Sequence, residues 1–256
     1  MTKEAAPGII PAMKAALKNT GFELYLHVRG ALFTPLPEGA LWWEAQRTLI
    51  VSDLHLEKGS SYAQRGQLLP PYDTGATLKL VETLIGRFAP ERVISLGDSF
   101  HDPAAEARLS PGDRLRIRTL TASTDWIWVE GNHDPDPPAH LGGRGEKVLR
   151  IGDCVFRHEP TGEEGELAGH LHPVAKVTGR GRSVRRKCFV TDGERMILPS
   201  LGRFTGGLNV LDPAISRIFV AGHMVFGTSS AAVHLLDRKV LAPDVPRHSS
   251  GSGWRL

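Results

Sequence analysis

The sequence has little cysteine, no long apolar run and almost no excess charge of either sign. Its two cysteines, Cys154 and Cys188, are too few and too far apart for a disulfide scaffold or a cysteine-based zinc module. We expect both to be reduced, buried thiols. Lysine plus arginine number 31 and aspartate plus glutamate 28, a net charge of +3, so total charge alone gives no case for nucleic-acid binding.

No apolar stretch approaches the roughly 18 residues that a membrane-spanning helix needs. The first 20 residues contain an acid and two prolines where a secretory signal would need an unbroken apolar run. We therefore expect a cytoplasmic protein without membrane contact. Hydrophobic residues are 41% and charged residues 23%, an ordinary globular composition that excludes wholesale disorder.

The distribution of proline, serine and glycine predicts one domain between two loose ends. We expect an N-terminal arm over residues 1–21, a single domain over 22–240 and a mobile tail over 241–256. No linker and no internal repeat interrupts the central range, so we predict no second domain.

The first half of the domain alternates strand and helix patterns. Strands are predicted over residues 22–28, 47–53, 92–98 and 126–132, with an antiparallel partner over 40–46. Helices are predicted over residues 74–88, with Thr74 as N-cap, and over 111–124. This alternation predicts right-handed crossovers and a parallel core, whereas the short β-like runs after residue 150 predict a second, largely antiparallel sheet. The predicted fold is α/β, a four-layer αββα sandwich of two mixed sheets with helices outside.

Groups that bind metals follow five successive predicted strands. Ligands of parallel α/β sheets collect at the carboxyl ends of the strands, so these groups should meet at one rim. The strand-end residues are Asp53, His55, Asp98, Asn132, His133, Asp134, His158, His170 and His172. Oxygen and nitrogen donors without a thiolate suit Mn, Fe or Zn in a catalytic site more than a structural zinc site.

The spacing of these groups would allow neighbouring side chains to bind one metal ion. In D-x-H and H-x-H on extended backbone, side chains two residues apart point to the same side and can reach one ion. A glycine before Asp98, Asn132 and His170 allows the backbone to turn sharply beside the site. A single D-x-H motif can occur by chance. Five motifs of metal-binding residues, each in order at the end of a predicted strand, are not expected by chance.

The ordered motifs D-x-H, G-D, G-N-H, a later single H and G-H-x-H resemble those of the calcineurin-like metallophosphoesterase superfamily. Longer segments are similar to the ligase-associated DNA damage response endonucleases, the PdeM family, over residues 22–235. These segments are DLHLEKGSSYAQRGQLLPPYDT, LGDSFHD, GNHDPD, FRHEP, GHLHPV and CFVTDGERMILPSLGRFTGG. One departure is Glu57, which stands where that family's glycine is expected after D-L-H-L.

The resemblance implies two divalent metal ions, with Mn the best match and Fe or Zn open. The first ion would be held by Asp53, His55, Asp98 and His172, and the second by Asp98, Asn132, His158 and His170. It also implies in-line attack on phosphorus by a hydroxide that bridges the ions, with His133 as general acid.

Several residues beside this set have two open readings. Asp134 either orients the imidazole of His133 or caps a loop before Pro135. His101 and Arg65 are either substrate contacts or ordinary loop residues. The tryptophans at positions 42, 43, 126 and 128 are predicted to pack in the core and not to stack on bases.

A basic stretch from Leu167 to Thr191 contains no acidic residue. Its six cations are Lys176, Arg180, Arg182, Arg185, Arg186 and Lys187. The stretch is either a solvated loop or a phosphate-backbone track that leads DNA to the metals, with Arg180 and Arg182 as candidate contacts.

The leading hypothesis is a metal-dependent phosphoesterase that hydrolyses phosphodiester bonds in DNA during repair. The resemblance implies an ATP-dependent DNA ligase and a helicase as partners. The first alternative is the same chemistry on a small nucleotide or another cytosolic phosphoester; the second is a low-turnover, metal-binding scaffold for the ligase and helicase. A protein phosphatase is disfavoured, because Ser-Phe-His-Asp and not Asp-Arg-Gly follows Asp98.

Overall fold

The computed structural model describes residues 24–67, 72–136, 139–179 and 181–244. The predicted N-terminal arm, residues 1–21, lies outside the described residues, as do residues 245–256 of the predicted tail. Within the described ranges, no helix is both long enough and apolar enough to cross a membrane.

The first sheet has seven strands, which lie side by side in chain order. They are β1 (Leu26–Val28), β2 (Ala31–Pro35), β3 (Leu41–Trp43), β4 (Thr48–Val51), β5 (Arg92–Leu96), β6 (Asp125–Val129) and β7 (Arg144–Glu146). Strands β1 to β4 pair antiparallel, and β4 to β7 pair parallel. Val51 pairs with Ser95 and Leu96 pairs with Val129, so β4, β5 and β6 end level at one edge.

The helices that cover this sheet come from its crossover connections. They are α1 (Lys58–Gln64), α2 (Asp73–Phe88), α3 (Ala105–Arg108) and α4 (Pro111–Ser123). Helix α4 begins as predicted, with Pro111 first and the hydroxyl of Ser110 accepting from the Asp113 amide. The predicted cap of α2 is wrong, because the N-cap residue is Tyr72 and Thr74 lies inside the first turn.

The second sheet is mixed but largely antiparallel. It contains β8 (Leu149–Ile151), β9 (Cys154–Arg157), β10 (Glu166–Ala168), β11 (Val174–Gly179), β12 (Arg182–Thr191), β13 (Met196–Ile197), β14 (Met224–Thr228) and β15 (Val233–Leu235). The spatial order is β15-β14-β12-β13-β10-β9-β8, and β11 pairs with β12 as a hairpin. Among the described strand pairs of this sheet, those of β10 with β9 and with β13 are parallel. The last helix, α5 (Pro213–Ser216), lies on the far side of this sheet.

Apolar side chains fill three spaces between the layers. Phe156, Phe189 and Phe226 lie between the two sheets, and Ile215 packs with Cys188 on the outer face of the second sheet. Helices α2 and α4 cover the first sheet. The four-layer αββα prediction is thus confirmed, although one helical turn and loops form the outer layer over the second sheet. Both cysteines are buried and free, and all four tryptophans named above are core residues, as predicted.

Leu167 tests the packing between the sheets, because its side chain is fully buried there. Leu167→Ala should lower the free energy of unfolding by about 2–5 kcal/mol, from lost apolar burial and the cavity that remains. Leu235→Ala is the matched control, since Leu235 is 47% exposed on edge strand β15. Urea unfolding followed by circular dichroism measures both, and similar midpoints for the two variants would contradict the assigned core.

Candidate metal centre

Four acidic and imidazole side chains meet where β4, β5 and the segment after β10 end. Asp53, His55, Asp98 and His172 each offer one ligand atom, and these atoms all lie within 4.8 Å of one another. The Nε2 of His172 lies 3.0 Å from an Asp53 oxygen and 3.3 Å from the Nε2 of His55. Carboxylate and imidazole donors from three distant parts of the chain therefore face one point.

A second group of ligand atoms adjoins the first and shares Asp98 with it. His158 and His170 complete this group. The Oδ1 of Asn132 lies 2.9 Å from His158 Nε2 and 3.0 Å from His170 Nδ1. One oxygen of Asp98 is 3.4 Å from His158, and its other oxygen is 3.9 Å from His55. All seven ligand residues predicted from the sequence are brought together, with Asp98 between the two groups.

The spacing of the donor atoms fits a metal centre. Metal–ligand bonds of about 2.0–2.2 Å place neighbouring donors about 2.8–3.6 Å apart in tetrahedral or octahedral geometry. The shortest separations above, 2.9–3.4 Å, lie in that range. The Nδ1 of His158 donates to the Leu96 carbonyl at 3.0 Å, which turns the lone pair of Nε2 toward Asp98. The cluster of aspartate and histidine residues can therefore bind a divalent metal ion.

Electrostatics in the cluster favour added positive charge. Burial raises the pKa of Asp98, but its hydrogen bond with His158 and the nearby imidazoles lower it to about 2. Burial lowers the pKa of His158, but Asp98 and Asp53 raise it to about 9. Carboxylates at this site thus hold their negative charge and attract cations, protons or metal ions alike.

The backbone at the cluster differs from the extended form that the spacing argument assumed. Five of the seven residues have positive φ angles: Asp53 (52°), His55 (45°), Asp98 (46°), His170 (66°) and His172 (44°). Non-glycine residues rarely adopt this left-handed conformation, and such strain is concentrated at functional sites. The convergence of D-x-H and H-x-H is therefore not a property of a regular strand, and that part of the prediction is wrong.

The glycines beside the ligands serve mainly to make room. Only Gly97 of the three has a positive φ, 71°, and a Cβ there would lie 2.5 Å from the ring of His158. A Cβ on Gly131 would lie 2.2 Å from the Asp98 amide, and one on Gly169 would lie 2.0 Å from the Ser52 hydroxyl. Gly131 and Gly169 are thus needed for close approach, not for the sharp turn that was predicted.

Glu57 shows why glycine is the expected residue at its position. Its φ is 65°, in the left-handed region that favours glycine. The side chain is buried, and its carboxylate accepts from the hydroxyls of Thr74 and Ser60 at 2.9 and 2.6 Å. Asp73 accepts from the Gly59 amide at 2.8 Å. The segment after His55 is therefore fixed to the start of α2 by side chains that the sequence pattern did not single out.

His133 lies at the edge of the cluster and is not a member of either ligand group. Its amide donates to Asp98 at 2.9 Å, and its Nδ1 donates to the His101 carbonyl at 2.8 Å. Its Nε2 lies 3.9 Å from Asp98, and the side chain is 41% exposed. The ring stacks on that of His101, with 5.5 Å between centroids. This arrangement leaves Nε2 at the open side of the centre.

Asp134 adopts one of the two roles that its sequence position left open. Its Oδ2 accepts from the amides of Ser99 and Phe100 at 2.8 and 3.1 Å, so it caps the loop after Asp98. Burial raises the pKa of Asp134 to about 7, assisted by the charge of Asp98. The backbone carbonyl of His101 orients His133 instead, so the structure favours the capping role of Asp134 over the orienting role.

The basic stretch is largely used inside the protein. Lys187 donates to the carbonyls of Ser200, Leu201 and Gly202 at 2.6, 3.3 and 3.1 Å, and burial lowers its pKa to about 8. Lys176 donates to the Pro243 carbonyl, and Arg185 pairs with Asp244. These contacts argue against a phosphate track that uses all six cations.

The other predicted substrate residues lie in different parts of the structure. His101 packs beside His55 and His133, and burial lowers its pKa to about 4. Arg65 is exposed at the end of α1. Arg182 lies at the tip of the β11–β12 hairpin, five residues or about 17 Å of strand beyond Lys187. Arg180 lies outside the described residues.

Two cations near the centre were not predicted. Lys58 is half-buried, and its charge lowers the pKa of both His55 and His101. Arg203 is exposed, and its charge lowers the pKa of Lys187. Neither forms an ion pair within the described ranges. Lys58 could have been found from the sequence, because it lies three residues after His55. Arg203 could not, because it lies far from every metal-ligand motif in the sequence and a loop brings it close to the centre.

Gly169 provides a test of the close packing beneath Asp53. A Cβ there would also lie 2.5 Å from a carboxylate oxygen of Asp53, so Gly169→Ala must displace this ligand. We expect at least tenfold weaker Mn²⁺ binding, as for loss of a neighbouring support of a metal ligand. Gly179→Ala is the control, because a Cβ on Gly179 would have no atom within 4 Å. Isothermal titration calorimetry measures both affinities, and unchanged binding in Gly169→Ala would contradict the geometry.

Comparison with known proteins agrees with the site. The crystal structure of the Pseudomonas putida nuclease MPE is 31% identical in sequence and covers 84% of this chain and 100% of that chain, with a TM-score of 0.64. The E. coli phosphoesterase Yfce is 14% identical and covers 73% of this chain and 95% of that chain, with a TM-score of 0.38. No family model and no curated protein matches the chain. The chain matches the nuclease at 31% sequence identity over that protein's whole length. It therefore belongs to the calcineurin-like metallophosphoesterases and is a metal-dependent phosphoesterase that resembles the ligase-associated PdeM family.

Proposed function

We propose that this phosphoesterase is a nuclease that hydrolyses phosphodiester bonds in DNA with two bound divalent metal ions. The observation that carries the proposal is the pair of ligand groups that share Asp98. A centre of two ions suits displacement at phosphorus, since both the attacking and the leaving oxygen need charge stabilisation. Similarity to a protein described as a nuclease supports a nucleic-acid substrate.

We assign the seven ligands as the sequence predicted. Asp53, His55, Asp98 and His172 would hold one ion, and Asp98, Asn132, His158 and His170 the other. Mixed oxygen and imidazole donors suit Mn best, with Fe and Zn as alternatives. When bound, such ions neutralise phosphate charge and make water a nucleophile near neutral pH.

In this proposal His133 is the general acid that protonates the leaving oxygen. Its Nδ1 donates to the His101 carbonyl, so Nε2 is the nitrogen that can give a proton to the leaving oxygen. The amide of His133 also donates to Asp98, which fixes the acid relative to the shared ligand. Partial exposure of the ring leaves it within reach of a bound substrate.

The distribution of free cations supports a polymeric substrate over a small one. Lys58 and Arg203 lie near the centre, whereas Arg182 lies about 17 Å of strand beyond Lys187 at the tip of the hairpin. A single phosphate cannot contact both regions, but a nucleic-acid backbone can. The proximity of the seven proposed ligands to one another and to His133 argues against a low-turnover scaffold. A place in DNA repair, with a DNA ligase and a helicase as partners, rests on the family resemblance alone.

Asp98 and His133 should respond differently to substitution. Asp98→Asn should remove activity and weaken metal binding, because it withdraws charge from both ligand groups. His133→Ala should reduce kcat by about 10²–10⁴, the usual contribution of a general acid, with metal content nearly unchanged. Exposed Asp153, in the turn between β8 and β9, gives the control Asp153→Asn. Plasma mass spectrometry and steady-state kinetics measure both effects; equal metal loss in the two site variants would contradict a separate role for His133.

The proposed substrate is tested with nicked, single-stranded and duplex DNA beside a small chromogenic diester. We expect DNA cleavage with added Mn²⁺, no cleavage after chelation, and a KM for DNA that rises steeply between 50 and 200 mM salt. The KM for the small diester should change little. Hydrolysis of the diester without any DNA cleavage would favour the small-substrate alternative, and no turnover by metal-loaded protein would favour the scaffold.

A further inference from the structure

The loop after β13 lies across the rim of the metal centre. At its start, Leu201 donates to the Ser52 carbonyl at 2.7 Å and Gly202 donates to the Asp53 carbonyl at 3.1 Å. At its end, Leu208 donates to the Leu171 carbonyl at 3.3 Å. Because both ends are bonded to segments that carry ligands, the middle of the loop, around Phe204, lies beside the open side of the centre.

An exposed aromatic pair occupies this rim. Phe204 is 44% exposed and Tyr72 is 63% exposed, and their ring centroids lie 6.3 Å apart. Tyr72 is the N-cap residue of α2, directly before Asp73, which is bonded to the segment after His55. Within the described ranges no other phenylalanine, tyrosine or tryptophan is as exposed as these two.

The backbone holds Phe204 in an unfavourable conformation. Its φ is 56°, in the left-handed region that a bulky side chain rarely adopts. Glycine would suit this φ angle better if folding were the only requirement. Because the aromatic ring is also exposed, it contributes little to packing, and its presence has no structural reason. Such a combination marks a side chain that serves binding.

Two free cations adjoin the aromatic pair. Arg203 directly precedes Phe204, and Lys58 lies in the segment that Asp73 fixes beside Tyr72. Both are close enough to Lys187 for their charges to lower its pKa. The rim thus combines exposed aromatic faces with positive charge, the combination that binds single-stranded nucleic acids.

We propose that Tyr72 and Phe204 form a stacking platform for bases of a single-stranded segment whose phosphodiester enters the metal centre. Lys58 and Arg203 contact phosphates next to the one that is cleaved. The aromatic faces accept any base, because every base has a π-face, so the platform selects single-stranded regions and not a sequence. This inference rests on the proposed action on nucleic acid and specifies the strand form that is bound.

The test uses the full-length chain with Tyr72→Leu, Phe204→Leu and the double variant. Leu235→Ala, a comparably exposed position on β15, is the matched control. Binding of a single-stranded oligonucleotide that contains 2-aminopurine is followed in chelator by anisotropy and by quenching of the 2-aminopurine. A second oligonucleotide of the same length carries abasic linkers, and free dAMP is the small ligand. Cleavage of both oligonucleotides is measured in Mn²⁺.

We expect the double variant to bind the base-containing oligonucleotide about tenfold more weakly and to lose the quenching. Its affinity for the abasic oligonucleotide should equal that of the unsubstituted protein. Unchanged affinity and quenching in the double variant, with DNA still cleaved, would overturn the platform and leave the proposed function intact. If the unsubstituted protein neither binds nor cleaves oligonucleotides, both proposals fail; if only dAMP binds and the variants weaken it, the pair serves a free nucleotide instead.

Discussion

Asp98 faces two groups of ligand atoms at once, and much of the fold serves to hold it there. The level ends of β4, β5 and β6 place Asp53, Asp98 and Asn132 at one edge of the first sheet. The second sheet must then bring His158 and the His170–His172 segment to the same edge. Packing between two sheets is what makes that possible, because no single sheet edge carries all the ligands.

The convergence has a conformational cost that the surrounding structure offsets. Left-handed backbone at Asp53, His55 and Asp98 is unfavourable for non-glycine residues, so neighbouring contacts must hold each one. Gly169 lets the second sheet approach the side chains of Ser52 and Asp53. Buried Glu57 fixes the segment after His55 to α2. These contacts hold the donor atoms of each group within 4.8 Å of one another.

Positive charge in this protein has two separate uses. In the sequence, Lys187 is a candidate substrate contact. In the structure it donates to three carbonyls of the loop that lies over Asp53 and so fixes that loop. Two cations near the centre without an ion pair among the described residues, Lys58 and Arg203, come from other parts of the chain and adjoin an exposed aromatic pair. Burial and hydrogen bonding, not the density of basic residues along the sequence, thus decide which charges can meet a phosphate.

The sequence by itself determined the strand–helix alternation, the two-sheet architecture and the choice of seven candidate ligands, because apolar periodicity and motif order are local and linear. It did not determine the left-handed backbone at His55, the capping role of Asp134 or the internal use of Lys187. Each of these depends on which distant group lies opposite, and only the packed sheets decide that. The exposure of Phe204 is likewise a tertiary property, since the same residue type is buried wherever the two sheets enclose it.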